Sequence, residues 1–242
     1  FFREWSQAAR PDGYVDRIEW TFGVKAKEQI EAVAAGEADL AFDPRNAPER
    51  LENLFVRFPG QVQTSPDAVT WFGVLDTEMP PFDDVDVRRA MNLAVDRDRV
   101  VQIFGGEAAA RSTCQQLPPN FPGYKPYCPY TLNPGPGGEG SWTGPNMDEA
   151  RRLVRHSGTA GSRVTVKLHP VLWSDAQVGL LEDYMIELLD ELGYVGSVEQ
   201  VGSFNHFYSG NLEFQMAFDA WFSDYPAASN FITTRFRCHS SF

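Results

Sequence analysis

The sequence is poor in positive charge, with 21 Lys and Arg residues against 33 Asp and Glu residues and a net charge of -12. This balance argues against non-specific binding to nucleic acid or to an anionic membrane surface. The sequence also lacks a run of about 18 apolar residues, so no segment is predicted to span a membrane. It opens on Phe1 without a Met or a basic leader, and we expect a processed or excised chain.

Motifs for catalysis and metal binding are also missing. There is no Walker A motif, no G-x-S-x-G motif and no Cys-x-x-Cys or His-x-x-x-His pair. Gly135 to Gly140 has G-x-G-x-x-G spacing but lies among prolines rather than between a strand and a helix. Asp83, Asp84 and Asp86 are interpreted as helix-capping residues, because their spacing is not that of a Ca²⁺-binding EF-hand. We therefore expect no catalytic residue, no metal and no cofactor. A hydrolase whose Ser/His/Asp set is assembled only by the fold is the least favoured alternative.

Three cysteines are present, Cys114, Cys128 and Cys238. The first two enclose a proline-rich segment, and a disulfide between them would close a loop of about 15 residues, worth about 3 kcal/mol. We predict this disulfide; the alternative is two reduced thiols in a cytosolic protein. Cys238 is left over, which suggests a free thiol or a partner outside this chain.

Apolar periodicity and turn residues predict alternating strands and helices. The predicted strands are Asp16–Phe22, Ala38–Phe42, Val69–Leu75, Arg163–His169, Val195–Val201 and Phe214–Trp221. The predicted helices are Ala26–Ala35, Pro48–Phe55, one long helix from the Asp84 region to Gly105, Met147–His156, one from Ser174 to Gly193, and Ser203–Tyr208. Residues 107–146 are predicted to be irregular. This order predicts an α/β fold with a βαβ unit in its C-terminal half.

Two residues near the end of the last predicted strand are candidates for ligand binding. Trp221 and Asp224 lie where a buried strand gives way to a loop that contains proline. Ligands of open α/β sheets bind beyond the carboxyl ends of strands, and a ring beside a carboxylate suits a cationic, partly apolar ligand. The alternative for Asp224 is a turn residue that bonds its own backbone, and the pattern alone leaves both open.

Four segments together resemble the family 5 extracellular solute-binding proteins, the oligopeptide, dipeptide and nickel receptors of ABC importers. They are Gly36–Ala41 (GEADLA), Pro80–Arg97 (PPFDDVDVRRAMNLAVDR), Leu117–Tyr124 (LPPNFPGY) and Trp221–Pro226 (WFSDYP). The second is the most specific, and the four keep the family's order over nearly the whole chain. The resemblance implies a type II periplasmic-binding-protein-like α/β fold, in which one lobe has a mixed sheet flanked by helices and the second lobe is partial.

The same resemblance implies a domain division and an incomplete cleft. Residues 1–75 would be the end of lobe I, and residues 76–242 would be lobe II without its C-terminal return. Because lobe I is then largely absent, we expect only half of the ligand cleft in this chain.

The resemblance also implies a receptor without catalytic activity that traps a solute between two closing lobes. In peptide-binding relatives the Asp of a W-x-x-D-Y motif pairs with the α-amino group of the peptide. This implies that role for Asp224, with Trp221 and Tyr225 as further ligand-binding residues. Many relatives continue D-Y-P-D-P, whereas this chain has Ala227 at the second acid, which leaves its ligand preference open.

The implied partners are an oligopeptide or another small solute and the membrane permease subunits of an ABC transporter. The implied location is extracellular, at the cell surface or in the periplasm, with a lipid anchor in the full-length protein. Two alternatives stay open on this scaffold. One is a different ligand, such as a nickel chelate or an oligosaccharide, and the other is a sensor module fused to a regulatory domain.

Overall fold

The computed structural model describes residues 15–42, 48–63, 67–107, 109–119, 121–169, 175–202 and 213–236. The contacts divide the chain into two compact units, Phe1–Ala47 and Pro48–Phe242. The division into two lobes with a boundary after residue 75 stays a prediction.

The first unit contains the helix α1 (Ala26–Ala35), as predicted. It ends at Gly36, whose left-handed backbone (φ 76°) turns its amide back towards the last carbonyls of the helix. The predicted strands Asp16–Phe22 and Ala38–Phe42 are wrong, because neither segment forms a strand in the described part of this unit. Trp20 is 58% exposed and Phe22 is 86% exposed. Alternation supplies an apolar face, but a strand also needs a neighbour for its backbone hydrogen bonds, and the described residues here supply none.

The second unit is built on a four-stranded mixed sheet. Its strands are β1 (Val69–Leu75), β2 (Arg163–Leu168), β3 (Val195–Gln200) and β4 (Met216–Phe222), in the order β1-β4-β2-β3. β1 pairs antiparallel with β4, and β2 pairs parallel with both β4 and β3. In the antiparallel register Trp221 lies opposite Thr70.

Gln215, just before β4, ties the start of that strand to two other segments. Its side-chain amide donates to the carbonyl of Pro80 at 2.7 Å, and its side-chain oxygen accepts from the backbone N–H of Thr165 at 2.8 Å. These bonds fix where β4 begins against its neighbours.

The described part of this unit also contains six α-helices. They are α2 (Pro48–Arg57), α3 (Val85–Ala94), α4 (Arg97–Ile103), α5 (Met147–Ser157), α6 (Asp175–Leu192) and α7 (Ala228–Phe236). The predicted βαβ unit is confirmed as β2-α6-β3, whose two strands are parallel. The sequence did not predict α7, and the predicted helix Ser203–Tyr208 lies outside the described residues.

The prediction of a single long helix from Asp84 to Gly105 is wrong, because the helix is interrupted between α3 and α4. Asp96 interrupts it with a side chain that accepts from the backbone amides of Asp98 and Arg99, each at 3.1 Å. Its own amide donates to the hydroxyl of Tyr184, 88 residues away, at 2.7 Å. A local cap and a distant hydroxyl thus satisfy backbone groups that a continuous helix would satisfy internally.

The main core lies between one face of the sheet and the helices α3, α5 and α6. Its fully buried members include Val164, Val166, Leu168, Val87, Val154, Leu181, Met185 and Leu189. Met216 and Phe218 of β4 belong to it as well. Because side chains alternate along a strand, Trp221 projects from the opposite face of β4.

As predicted, the described part of residues 107–146 is irregular apart from a short 3₁₀ turn at Pro136–Gly138 and an isolated β-bridge between Tyr127 and Glu139. The predicted disulfide between Cys114 and Cys128 is confirmed, with the two Cα atoms 5.0 Å apart. Cys238 lies outside the described residues. A second tie is formed by Thr131, whose hydroxyl lies 2.9 Å from that of Thr143. Covalent and hydrogen bonds thus replace regular structure in holding this segment.

Arg97 joins the same segment to the helices. Its guanidinium donates to the carbonyl of Thr113 at 2.9 Å and lies 4.8 Å from the centre of the Trp142 ring. Burial lowers the pKa of Arg97, and the nearby Tyr184 opposes that shift.

None of the described helices is both long and apolar enough to cross a lipid bilayer.

Candidate ligand-binding site

The candidate site lies at the carboxyl end of β4, where the chain leaves the sheet and enters α7. Trp221 is the penultimate residue of β4, while Asp224 and Tyr225 lie in the loop that follows. Trp221 is half-buried, Asp224 is exposed, and the side chain of Tyr225 is 48% exposed. The structure therefore brings the three predicted residues together on one strand end and its loop.

Asn230, in the first turn of α7, connects two of the predicted residues. Its side-chain oxygen accepts from the indole N–H of Trp221 at 2.9 Å and from the backbone N–H of Asp224 at 3.1 Å. Its side-chain nitrogen donates to Oδ2 of Asp224, also at 3.1 Å. Asn230 is only 2% exposed. A buried amide thus holds both the ring and the carboxylate from below.

The loop itself is closed by short-range hydrogen bonds. The hydroxyl of Ser223 and the amide of Ala227 both donate to the carbonyl of Tyr225 at 2.8 Å. The hydroxyl of Tyr225 lies 3.5 Å from that of Ser229. The amide of Ser223 donates to the carbonyl of Ala68, which extends the pairing of β4 with the chain before β1. Asp224 is therefore presented on a tight turn.

A small apolar cluster supports the site from beneath. Leu117, Phe121 and Phe231 form its buried centre, and Trp221 packs against it. The rings of Phe121 and Phe231 meet edge to face, with centroids 5.1 Å apart. Since Phe231 belongs to α7 and Phe121 to the irregular segment, the cluster joins the helix below the site to the segment that the disulfide constrains.

Thr70 makes a further connection between the sheet and that segment. It is buried, and its hydroxyl donates to the carbonyl of Gln116 at 2.7 Å. Because Thr70 also lies opposite Trp221 in the register, the irregular segment is held against the same end of the sheet as the candidate site.

Further aromatic side chains lie beside the strand end. Trp71 of β1 meets Phe222 edge to face, with ring centroids 6.2 Å apart, and lies 5.7 Å from the ring of Phe104. Phe222 is 43% exposed. Apolar rings therefore flank the loop on the side away from Trp221.

The arrangement suits binding of a cation with an apolar part. An exposed carboxylate can pair with an ammonium group, and a neighbouring indole offers a ring face to the apolar part or to a second cation. In the described part of the chain, no group of three or more metal-binding side chains is gathered at this loop or elsewhere.

Asn230 is the residue that the sequence analysis missed. The sequence signal for Asn230 is that a polar residue precedes Phe231 at a position where an apolar side chain would be expected to pack against the core. That signal is weak, because its partners lie six and nine residues earlier and meet it only once the loop has turned.

His169, directly after β2, is another buried polar residue and is 4% exposed. Burial lowers the pKa of its imidazole, an effect that its own backbone partly opposes. The neutral form is thereby favoured in the folded protein.

Comparison with known proteins gives a consistent result. A model of the family described as "Bacterial extracellular solute-binding proteins, family 5 Middle" matches residues 4–242. The chain is 27% identical over 240 residues to a protein of Pseudomonas aeruginosa named "Probable di/tripeptide-binding protein 5", covering 96% of this chain and 42% of that relative. The chain thus spans about two fifths of that protein's length.

Solved structures show the same fold. The DppA periplasmic binding protein of Helicobacter pylori, in complex with the peptide STSA, superposes with a TM-score of 0.63 at 20% identity, over 86% of this chain and 37% of that one. The murein tripeptide binding protein MppA of Escherichia coli gives a TM-score of 0.62 at 19% identity, over 84% and 38%. These likenesses confirm the predicted fold class, a mixed sheet flanked by helices as in type II periplasmic binding proteins. By the family match over almost its entire length, the chain belongs to the bacterial extracellular solute-binding proteins of family 5, a family of binding proteins rather than enzymes.

Proposed function

We propose that this chain is part of the substrate-binding component of an ABC importer for oligopeptides, with Asp224 pairing with the α-amino group of the peptide. Trp221 supplies a ring face for a peptide side chain, and Tyr225 lines the rim of the site. The observation that carries the proposal is an exposed carboxylate, held in place beside a half-buried indole at the carboxyl end of β4.

The chemistry favours an ammonium ligand at this position. A carboxylate accepts charge-assisted hydrogen bonds, which are shorter and stronger than those between neutral groups. The terminal amine is common to all unmodified peptides, so a grip on it tolerates many sequences. The names of the relatives, which refer to di/tripeptides and to bound peptide, point to the same ligand class.

The disulfide supports a location outside the cytoplasm. Disulfides persist in oxidising compartments and are rare where thiols are kept reduced. Cys128 is 1% exposed and Cys114 is half-buried, so the bond is largely shielded from solvent. We therefore propose a location at the cell surface or in the periplasm. A lipid anchor in the full-length protein and delivery of solute to membrane permease subunits are part of the same proposal.

The test is to compare a pool of short peptides with the same pool after N-acetylation, by calorimetry on the full-length protein that carries this chain. Acetylation should weaken binding by about tenfold to a hundredfold, since hydrogen bonds to charged groups contribute about 1.5–3 kcal/mol. Asp224→Asn should weaken binding of the free-amine pool by a similar factor.

Asp83→Asn is the matched control, because Asp83 is an exposed loop acid in the same unit. It should leave the affinity unchanged. The proposal fails if acetylated and free peptides bind equally well, or if Asp224→Asn binds as tightly as the Asp83 variant.

A further inference from the structure

The buried amide of Asn230 has its orientation determined by its neighbours. Two N–H groups, the indole N–H of Trp221 and the backbone N–H of Asp224, point at one atom of the amide. Only the oxygen can accept both, so the nitrogen must face the carboxylate of Asp224. No other assignment of the amide satisfies all three contacts.

This orientation divides the carboxylate of Asp224 into two unequal oxygens. Oδ2 accepts from Asn230 at 3.1 Å. Within the described residues, the structure contains no hydrogen bond to Oδ1, and the residue is exposed. One oxygen is therefore used to anchor the side chain, and the other is left for an incoming group.

The same contacts limit what Trp221 can offer. An indole has one N–H donor and no acceptor, and here that donor is taken by Asn230 at 2.9 Å. The ring can therefore contact a ligand only through its carbon face and edge, which suits apolar or cationic groups and offers nothing to a hydrogen-bond acceptor.

We infer that Asn230 is a positioning residue, which aims Oδ1 of Asp224 at the ligand cation and removes the indole N–H of Trp221 from ligand recognition. This inference rests on the proposed function, because the cation in question is the terminal amine of a peptide. If Asn230 instead only secures α7, its loss would lower stability without changing what the site distinguishes.

The experiment measures discrimination, defined as the ratio of Kd for N-acetylated peptides to Kd for free-amine peptides, in the full-length protein. Asn230→Leu removes all three hydrogen bonds at similar volume and should lower this ratio by about tenfold, the effect of losing one hydrogen bond to a charged group. Thr131→Val is the matched control, because Thr131 is equally buried and hydrogen-bonded but far along the chain in the irregular segment. It should lower stability and leave the ratio within about twofold of the wild type.

A second measurement needs no change at Asn230. In the wild-type protein, the indole proton of Trp221, assigned with Trp221→Phe, should exchange with solvent at least about tenfold more slowly than that of N-acetyltryptophanamide, because it is hydrogen-bonded. If Asn230→Leu does not fold, this measurement still allows the inference to be refuted, because exchange at the free rate would mean that Asn230 does not hold the indole N–H.

The outcomes separate the two proposals. If the wild-type protein binds N-acetylated and free-amine peptides with the same Kd, the peptide proposal is refuted. A wild type that discriminates, together with a folded Asn230→Leu variant that discriminates equally well, refutes the positioning role alone. Exchange of the Trp221 indole proton at the free rate also refutes it.

Discussion

Removing the Cys114–Cys128 disulfide should destabilise the second unit by a calculable amount. The two cysteines are 14 residues apart in sequence, so the bond closes a ring of about 15 residues. In the chain-entropy account, such a ring removes conformational freedom from the unfolded chain and raises its free energy by about 3 kcal/mol at 25 °C. The folded state is stabilised by the same amount. Replacing both cysteines by Ala should therefore lower the free energy of unfolding by about 3 kcal/mol.

The effect should be visible in urea denaturation followed by circular dichroism. With a denaturant dependence of about 2 kcal/mol per M, the midpoint should fall by about 1.5 M. Both proteins should carry Cys238→Ser, so that no third thiol can exchange with the bond. A reductant should lower the midpoint of the parent protein to that of the double variant and should leave the double variant unchanged.

The reasoning would be refuted by a loss below about 1 kcal/mol, because the ring closure would then not be what restricts the unfolded chain. It would also be refuted if the reductant changed the double variant. The site itself offers a further readout. Since Leu117 and Phe121 follow Cys114 and pack against Phe231 beneath Trp221, reduction should also change the fluorescence of Trp221.

Two further predictions concern packing and pH. A Cβ added at Gly196 would lie 3.0 Å from Cβ of Leu189, which is fixed to the helix backbone, whereas one at Gly73 would lie 2.9 Å from the flexible end of Met216. Gly196→Ala should thus cost about 1–3 kcal/mol and Gly73→Ala less than about 1 kcal/mol in urea denaturation; equal losses would contradict this. Because burial lowers the pKa of His169 below its ordinary value, the unfolded chain binds more protons near that value, about 6.5, and the free energy of unfolding should fall from pH 7 to pH 5. His169→Gln should flatten that slope, and an unchanged slope would contradict the assignment.

The helices with local caps could be predicted from the sequence. The side chain of Asn146 accepts from the amide of Glu149 at 3.2 Å at the start of α5, and Gly158 ends that helix with a left-handed backbone. Every group involved lies within a few residues of the helix it caps, so the sequence pattern contains the whole signal.

The break between α3 and α4 could not be predicted in the same way. Its apolar face continues across the break, and one of the groups that stabilise it is the hydroxyl of Tyr184 on α6. The two strands predicted in the first unit are absent for a related reason. Their apolar side chains alternate as strands require, and Trp20 even meets Phe42 edge to face with ring centroids 5.8 Å apart, but the backbone of each segment has no strand partner among the described residues of this unit. In both cases the deciding partner lies outside the segment.

For the candidate site, the sequence predicted where the residues lie but not what holds them. Trp221 and Asp224 could be placed because a buried strand and a proline-containing loop have clear patterns. Asn230 could not, because its three hydrogen bonds depend on the path of the loop and on the unpredicted helix α7. Their use in ligand binding stays a prediction.

The bonds made by Gln215 carry a consequence for how this site can change over evolution. Gln215 lies six residues before Trp221, about 20 Å along the strand at 3.3 Å per residue. A slip of one residue at that end would turn Trp221 to the opposite face of the sheet, since side chains alternate. The face on which Trp221 lies thus depends on a residue outside the candidate site. A substitution at Gln215 would therefore alter the candidate site as directly as one in the loop of Asp224, although the two residues lie at opposite ends of β4.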